Sequence, residues 1–204
     1  IQRVIHNVRV PELLGVSEQS PRVNHDGFRF GFIGGLYPAK GIEHLIEAFK
    51  DANLSNAEVW IAGSGKQDYE AQLNKHACDP RIHFMGRMTP KDFYPHVDIV
   101  VVPSLLNDNL PGVVIESLAF GKPVIGSCRG GIPEMIVEGY NGLLFEPDNH
   151  GDLATCLSRI YNDGALRRHL EENAQASSKP FLDVPGWIME YEAVYSEIQR
   201  APGV

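Results

Sequence analysis

Apolar positions along this chain fall into short runs closed by glycines, each followed by a stretch of helical spacing. Residues 28–33 (FRFGFI) form an aromatic and β-branched run that stops at Gly34-Gly35. Residues 40–52 then place Ile42, Leu45, Ile46 and Phe49 three and four apart. The spacing predicts a strand, a glycine turn and a helix. The unit recurs over 58–62, Gly63-Ser64-Gly65 and a helix over 68–77, and again over 81–84, Gly86 and a short helix over 90–96. Residues 99–102 (IVVV) are continuously apolar, as a central parallel strand covered on both faces requires. After a polar loop over 104–109, a helix opens near Pro111-Gly112, with proline where a missing N–H costs least. Two more strands are predicted over 123–126 and 142–145, separated by Gly130-Gly131 and a helix over 133–138. From Asp148 onward the spacing is helical, with breaks near Gly164 and over 179–186. Alternating strands and helices predict an α/β, Rossmann-like domain whose parallel sheet is flanked by helices.

Composition narrows the class. A chain of 204 residues, 43% hydrophobic and 22% charged, suits one globular domain spanning 1–204. The longest apolar stretch, 97–106, is broken by Asp98 and Pro103 and falls short of the ~20 residues a membrane span needs. A net charge of −8 without a lysine/arginine cluster excludes nonspecific attraction to nucleic acid or anionic lipid. Any anion must therefore be held by a local device. Cys78, Cys128 and Cys156 are odd in number, far apart and outside any CxxC pattern. They read as small, semi-buried residues of a protein in a reducing compartment, without disulfide or structural zinc. The sequon Asn53-Leu54-Ser55 is taken as coincidental. The chain opens on Ile1, not methionine, and is expected to be a piece of a longer protein.

Glycines at strand ends usually mark a ligand site where the strand order reverses. Two nucleotide fingerprints are excluded: Gly63-Ser64-Gly65 lacks the third glycine of G-x-G-x-x-G, where Asp68 stands, and Gly65-Lys66 lacks both the first glycine and the hydroxyl residue of a P-loop. There remains Gly34-Gly35-Leu36-Tyr37-Pro38-Ala39-Lys40-Gly41, a turn that delivers Lys40 to the first turn of a helix. A cation there opposes the macrodipole at a cost of about 0.3–1 kcal/mol, which a bound diphosphate would reverse. A solvated lysine beside a loop fits this motif equally well.

The second constellation is Asp108-Asn109-Leu110-Pro111-Gly112-Val113-Val114-Ile115-Glu116. If Gly112 and Val113 form a helix's first turn, their N–H groups point back toward Asp108 and make a phosphate cradle. Glu116, one turn further in, is within reach of ribose hydroxyls, for which a carboxylate is a suitable acceptor. In the alternative reading Asp108 caps the helix and Glu116 is solvated. Val113, Val114, Ile115, Leu118, Ala119 and Phe120 leave that helix few polar faces, however, and a buried carboxylate needs a partner.

With these motifs in order, the chain resembles the retaining GT-B glycosyltransferases known as family 4 or group 1, specifically their C-terminal half. Ile5-His6-Asn7-Val8 is similar to the interdomain segment, and residues 34–49 to the segment G-x-L-x-x-x-KG-x-x-x-L-I-x-A-F. Ile61-Ala62-Gly63-Ser64-Gly65, Ile82-His83-Phe84-Met85-Gly86, Val97-Asp98-Ile99, Pro103-Ser104 and Gly121-Lys122-Pro123-Val124-Ile125 follow in sequence. Gly130-Gly131-Ile132-Pro133-Glu134 and Asn141-Gly142-Leu143 complete the likeness.

The resemblance implies that Lys40, beside Gly34 and Gly35, contacts the donor diphosphate, that Glu116 takes the ribose, and that backbone around Gly86, Arg87 and Met88 takes the base. Asp108, with N–H groups of Asn109, Leu110, Gly112 and Val113, would hold the transferred sugar and its phosphate. The family's acidic pair is usually two glutamates; here the first is Asp108, one methylene shorter. The family commonly carries arginine where this chain has Gly35, and Arg87 or Arg129 is a possible replacement for that cation. The implied activity is transfer from a UDP-, GDP- or ADP-sugar with retention, as in polysaccharide or glycoconjugate biosynthesis. No cofactor or metal is implied, and the acceptor would sit on an absent N-terminal domain. The expected location is cytoplasmic, peripheral to the inner leaflet through that domain. The isolated half is expected to be nearly inactive. An epimerase of similar fold and a noncatalytic sugar-nucleotide module are the alternatives. Residues 187–198 place Trp187, Ile188, Tyr191, Val194, Tyr195 and Ile198 at helical spacing, predicting an exposed apolar patch or self-association.

Overall fold

A computed structural model of the chain describes residues 5–6, 8–15, 23–149 and 151–200. Asn7, part of the interdomain resemblance, lies outside them. Six strands form one parallel sheet: β1 (Phe28–Ile33), β2 (Ala57–Ala62), β3 (Ile82–Gly86), β4 (Ile99–Val102), β5 (Val124–Ser127) and β6 (Gly142–Phe145). Their order is β3-β2-β1-β4-β5-β6, so the direction of winding reverses between β1 and β4. Every predicted strand is present.

The helices are α1 (Pro11–Leu14), α2 (Ile42–Ala52), α3 (Gln67–Ala77), α4 (Pro90–Phe93), α5 (Gly112–Ala119), α6 (Ile132–Met135), α7 (Asp152–Asn162), α8 (Gly164–Ser178) and α9 (Val184–Arg200). They cover both sheet faces, which is why β4 and β5 are buried at every position instead of alternating. One core cluster packs α2 and α7 on one face around Phe30, Ile46 and Leu157. The other packs α5 and α8 on the opposite face around Val100, Leu118 and Ala174.

Four differences from the sequence expectation have local causes. Lys40 is not in the first turn of α2: it ends a separate 3-10 turn, Pro38–Lys40, and Gly41 intervenes in the left-handed region (φ 68°). The segment 90–96 divides into α4 and a second 3-10 turn, Tyr94–His96. Helix α6 stops at Met135 because Ile136 turns extended, and Asn141 bridges the end by donating to the Met135 carbonyl and accepting from the Val137 N–H. The expected break over 179–186 is shorter, since Asp183 accepts the Gly186 N–H at 3.0 Å and so starts α9. The signal for that start was legible as an aspartate before Pro185.

Cys156 is buried, Cys128 half-buried, and all three cysteines are free. Cys78, expected to be semi-buried, is exposed because it closes α3 with a positive φ of 33°. On α9, Ile188, Tyr195 and Ile198 of the predicted apolar set are exposed, with Met189 beside them, while Trp187, Tyr191 and Val194 are half-buried. Among the described residues no helix is long and apolar enough to cross a membrane.

Candidate functional site

The carboxyl ends of β1 and β4 open into a cavity of about 300 Å³ at the winding reversal, where an open α/β sheet leaves a crevice. Its lining includes Gly34, Gly35, Lys40, Pro103, Ser104, Asp108, Pro111, Gly112 and Val113. Residues distant in sequence meet there because three loops are tied together by backbone contacts. The Leu105 N–H donates to Ala39 O at 2.9 Å, which ties the β4 loop to the Lys40 turn. Gly41 lies so close that a Cβ on it would stand 1.9 Å from Pro103 O. On the other side, the Gly131 N–H donates to Asp108 O at 2.8 Å, and the Ser127 hydroxyl donates to Ser104 O at 2.6 Å.

Lys40 Nζ lies 2.7 Å from Asp108 Oδ2 and 5.5 Å from the centre of the Tyr37 ring. Burial alone would lower the Lys40 pKa, but hydrogen bonds with Asp108 and Tyr37 outweigh it and hold the ammonium above its usual value. Asp108 does not cap α5. Pro111 occupies the N-cap without a side-chain bond, so the capping reading is replaced by the ion pair. Gly112 and Val113, the first residues of α5, line the same cavity, and their N–H groups have no acceptor within the helix.

Glu116 lies one turn deeper in α5, with its side chain 18% exposed. Its partners are Arg9, whose Nε stands 3.5 Å from Oε1, and Tyr94, whose hydroxyl stands 3.4 Å from Oε2. Burial raises the Glu116 pKa above the ordinary glutamate value, opposed by the Arg9 charge and the Tyr94 hydroxyl. Tyr94 is fully buried and stacks on Phe120 with ring centres 4.9 Å apart. Sequence reasoning required a partner for Glu116 without naming one. No local spacing links Arg9 or Tyr94 to residue 116; only the tertiary fold does.

The remaining predicted residues divide among neighbouring hollows. Arg87 and Met88 line a second cavity of about 340 Å³ that shares Ile33, Gly34 and Gly35 with the first. Gly86 closes its edge by accepting the Gly63 N–H at 2.7 Å. Arg87 Nε donates to Ser64 Oγ at 2.6 Å. The place a side chain at position 35 would enter is filled by the Tyr37 ring, whose nearest carbon is 2.8 Å from an ideal Cβ there. Asn109 and Leu110 do not line the Lys40 cavity but a third one, with His6, Gly130, Gly131 and Glu134. There His6 Nε2 meets Glu134 Oε2 at 3.1 Å. Arg129 pairs with Asp148 at 2.5 Å and lies outside the linings of these cavities. Among the described residues, no three His, Cys, Asp or Glu side chains cluster as metal ligands.

Comparison with known proteins places this chain in a family. The model for glycosyl transferases group 1 matches residues 16–177. An uncharacterized glycosyltransferase from Methanocaldococcus jannaschii, MJ1178, is 33% identical over 184 residues, covering 86% of this chain and 50% of the relative. Among solved structures, the Anabaena protein Alr3699/HepE in complex with UDP-glucose superposes with a TM-score of 0.82 at 24% identity, over 96% of this chain and 57% of that one. The C-terminal domain of the group 1 glycosyl transferase LpcC from Francisella tularensis gives 0.69 at 22% identity, over 86% of this chain and 99% of that one. The chain thus spans about half the length of the curated relative it matches. Its six-stranded parallel sheet has the Rossmann-like architecture of the C-terminal domains of GT-B glycosyltransferases. Both the sequence match and the fold support one assignment: this chain belongs to the group 1 glycosyl transferases.

Proposed function

We propose that the chain is the donor half of a retaining, metal-independent glycosyltransferase, holding a UDP-, GDP- or ADP-sugar for transfer to an acceptor on an N-terminal domain of the same protein. The observation that carries this reading is the convergence of Lys40, Asp108 and the free first-turn N–H groups of α5 on one cavity at the winding reversal. A diphosphate there meets an ammonium and a helix N-terminus, two features that favour negative charge. As the sugar–phosphate bond breaks, charge accumulates on the leaving diphosphate, and these fixed groups stabilise it without reorganising. Asp108, held by Lys40, positions the sugar and its phosphate. Glu116 accepts the ribose hydroxyls, and the backbone of Gly86, Arg87 and Met88 lies along the base.

Two expectations about assembly accompany this reading: a cytoplasmic protein meeting its membrane through the N-terminal domain, and an apolar α9 face covered by that domain or by self-association. On this reading the isolated domain is expected to turn over little, because the acceptor sits on the N-terminal domain. Calorimetric titration of the chain with UDP-, GDP- and ADP-sugars tests the donor reading. It expects one base to bind and Lys40→Ala to weaken it; binding of none, or undiminished binding by Lys40→Ala, overturns it.

A further inference from the structure

Arg9 lies near the N-terminal end of the described residues, yet its guanidinium reaches Glu116, the proposed ribose acceptor. Its Nε lies 3.5 Å from Glu116 Oε1. Its guanidinium also rests on the first residue of α5, so closely that a Cβ on Gly112 would stand 1.5 Å from Nη2. The backbone beneath it is anchored: the Arg9 N–H donates to Phe181 O at 2.8 Å, and Leu14, five residues on, is buried in the α5 side of the core. The side chain is less constrained, at 46% exposed.

The geometry is that of a charge with an incomplete partner. At 3.5 Å and through Nε, the guanidinium is at the outer limit of a hydrogen bond to Glu116. It does not use the two-nitrogen fork that makes arginine–carboxylate pairs strong. It also lies over the positive end of a helix dipole, which disfavours a cation unless an anion is present. Glu116 Oε1, meanwhile, is an oxygen that a ribose hydroxyl would need. The Arg9 guanidinium therefore stands on the oxygen that the proposed ribose contact would use.

Resting on the donor reading above, we infer that Arg9 is a donor-contacting residue that exchanges partners: it occupies Glu116 in the free protein and moves onto the donor diphosphate when ribose takes the carboxylate. The guanidinium needs only to turn over Gly112 to meet a diphosphate at the α5 N-terminus, where its terminal nitrogens can engage two phosphate oxygens. Arg9 then favours a nucleoside diphosphate twice, by supplying a cation to the phosphates and by vacating the ribose acceptor only when that cation has somewhere to go. A bare nucleoside must displace Arg9 without offering it an anion.

The test titrates the chain with UDP, GDP and ADP, and pairs the tightest of these with its nucleoside in the parent and in Arg9→Gln and Arg9→Lys. The loss of a charged hydrogen-bond donor is expected to weaken the nucleoside diphosphate about ten- to hundredfold in Arg9→Gln. The nucleoside binds at least as tightly as to the parent, because its competitor is gone. Arg9→Lys restores part of the diphosphate affinity, keeping the charge without the fork. An independent readout is the Glu116 carboxyl, followed by NMR: in Arg9→Gln without nucleotide its titration midpoint moves further up, whereas a structural anchor elsewhere would leave it in place. Equal binding of the diphosphate by parent and Arg9→Gln overturns the inference while leaving the donor reading standing. So do equal losses for diphosphate and nucleoside, which mark Arg9 as a structural strap. A parent that binds none of the three diphosphates overturns both.

Discussion

The Lys40 ammonium and the Asp108 carboxylate meet at 2.7 Å across the mouth of the cavity between β1 and β4. Each would be poorly placed alone: Lys40 projects from a 3-10 turn beside the glycines after β1, and Asp108 lies in an irregular loop before α5. Together they form a charge-compensated pair; on the donor reading proposed above, the ammonium serves a diphosphate as well as Asp108, which it holds toward the sugar.

Lys40→Ala is therefore expected to weaken a nucleoside diphosphate by about 1.5–3 kcal/mol, or ten- to hundredfold, and to leave the nucleoside unaffected. Calorimetric titration of both ligands checks it. Equal weakening of both would mean that Lys40 acts through the fold of the loop instead of on phosphate.

Much of this site was legible in sequence because each loop carries its own glycine or proline signal. β4 could be bounded from its continuous apolar run, β1 and β6 from apolar runs with a terminal glycine, and the helix after Pro111 from the proline itself. What the sequence could not show is how the loops are tied. Lys40 looked like a helix residue because Ile42, Leu45 and Ile46 continue its spacing, while the left-handed turn at Gly41 is a matter of contact with Pro103 O. The reach of Arg9 to Glu116 and the burial of Tyr94 beneath α5 are tertiary, and no periodicity encodes them. The place beside Gly35 that family likeness would fill with arginine is filled instead by Tyr37, two residues on.

Gly131→Ala probes the tie that holds Asp108. A Cβ there would lie 1.5 Å from Asn109 O, so the backbone of the 107–110 loop must move. Overpacking of this kind costs about 1–3 kcal/mol, with a fall in melting temperature of roughly 2–4 °C per kcal/mol for a chain of this size. Nucleotide-sugar affinity should fall with it, although residue 131 is not placed on the ligand. Scanning calorimetry together with sugar-nucleotide titration would detect both; an unchanged affinity would detach the loop from donor binding.

The α9 face makes a different kind of demand. Ile188, Tyr195 and Ile198 project from one side of the helix and are 45%, 62% and 64% exposed. Changing all three to serine leaves the fully buried core untouched, so stability should stay within about 0.5 kcal/mol per site. Leu118→Ala, from a fully buried position, should cost about 2–5 kcal/mol. The parent chain is expected to gain apparent mass with concentration in sedimentation, and the triple variant to remain a monomer. A parent that stays monomeric at every concentration removes self-association as the cover for this face.

Glu116 gives the pH dependence its sign. Burial is the largest influence on its carboxyl and raises its pKa above the ordinary 4.5, with Arg9 and Tyr94 only partly opposing. A carboxyl whose folded pKa lies above its unfolded one stabilises the fold fully below the unfolded value, and loses that contribution as pH rises through the folded value. At neutral pH the ionised Glu116 is thus a burden on the fold, which the proposed ribose contact would explain. Glu116→Gln should melt no lower than the parent at pH 7, and any advantage should vanish below the ordinary glutamate range. Binding runs the other way. Ribose needs the ionised acceptor, so nucleoside affinity should fall on acidification with a midpoint above 4.5, and in Glu116→Gln it should be weaker by about 1.5–3 kcal/mol and flat across the same range. The nucleoside is the proper probe because a terminal phosphate titrates near pH 6 itself and would mask the step. A parent whose nucleoside affinity is flat from about pH 4 to 7, or a Glu116→Gln variant that binds the nucleoside as the parent does, would remove the ribose from Glu116.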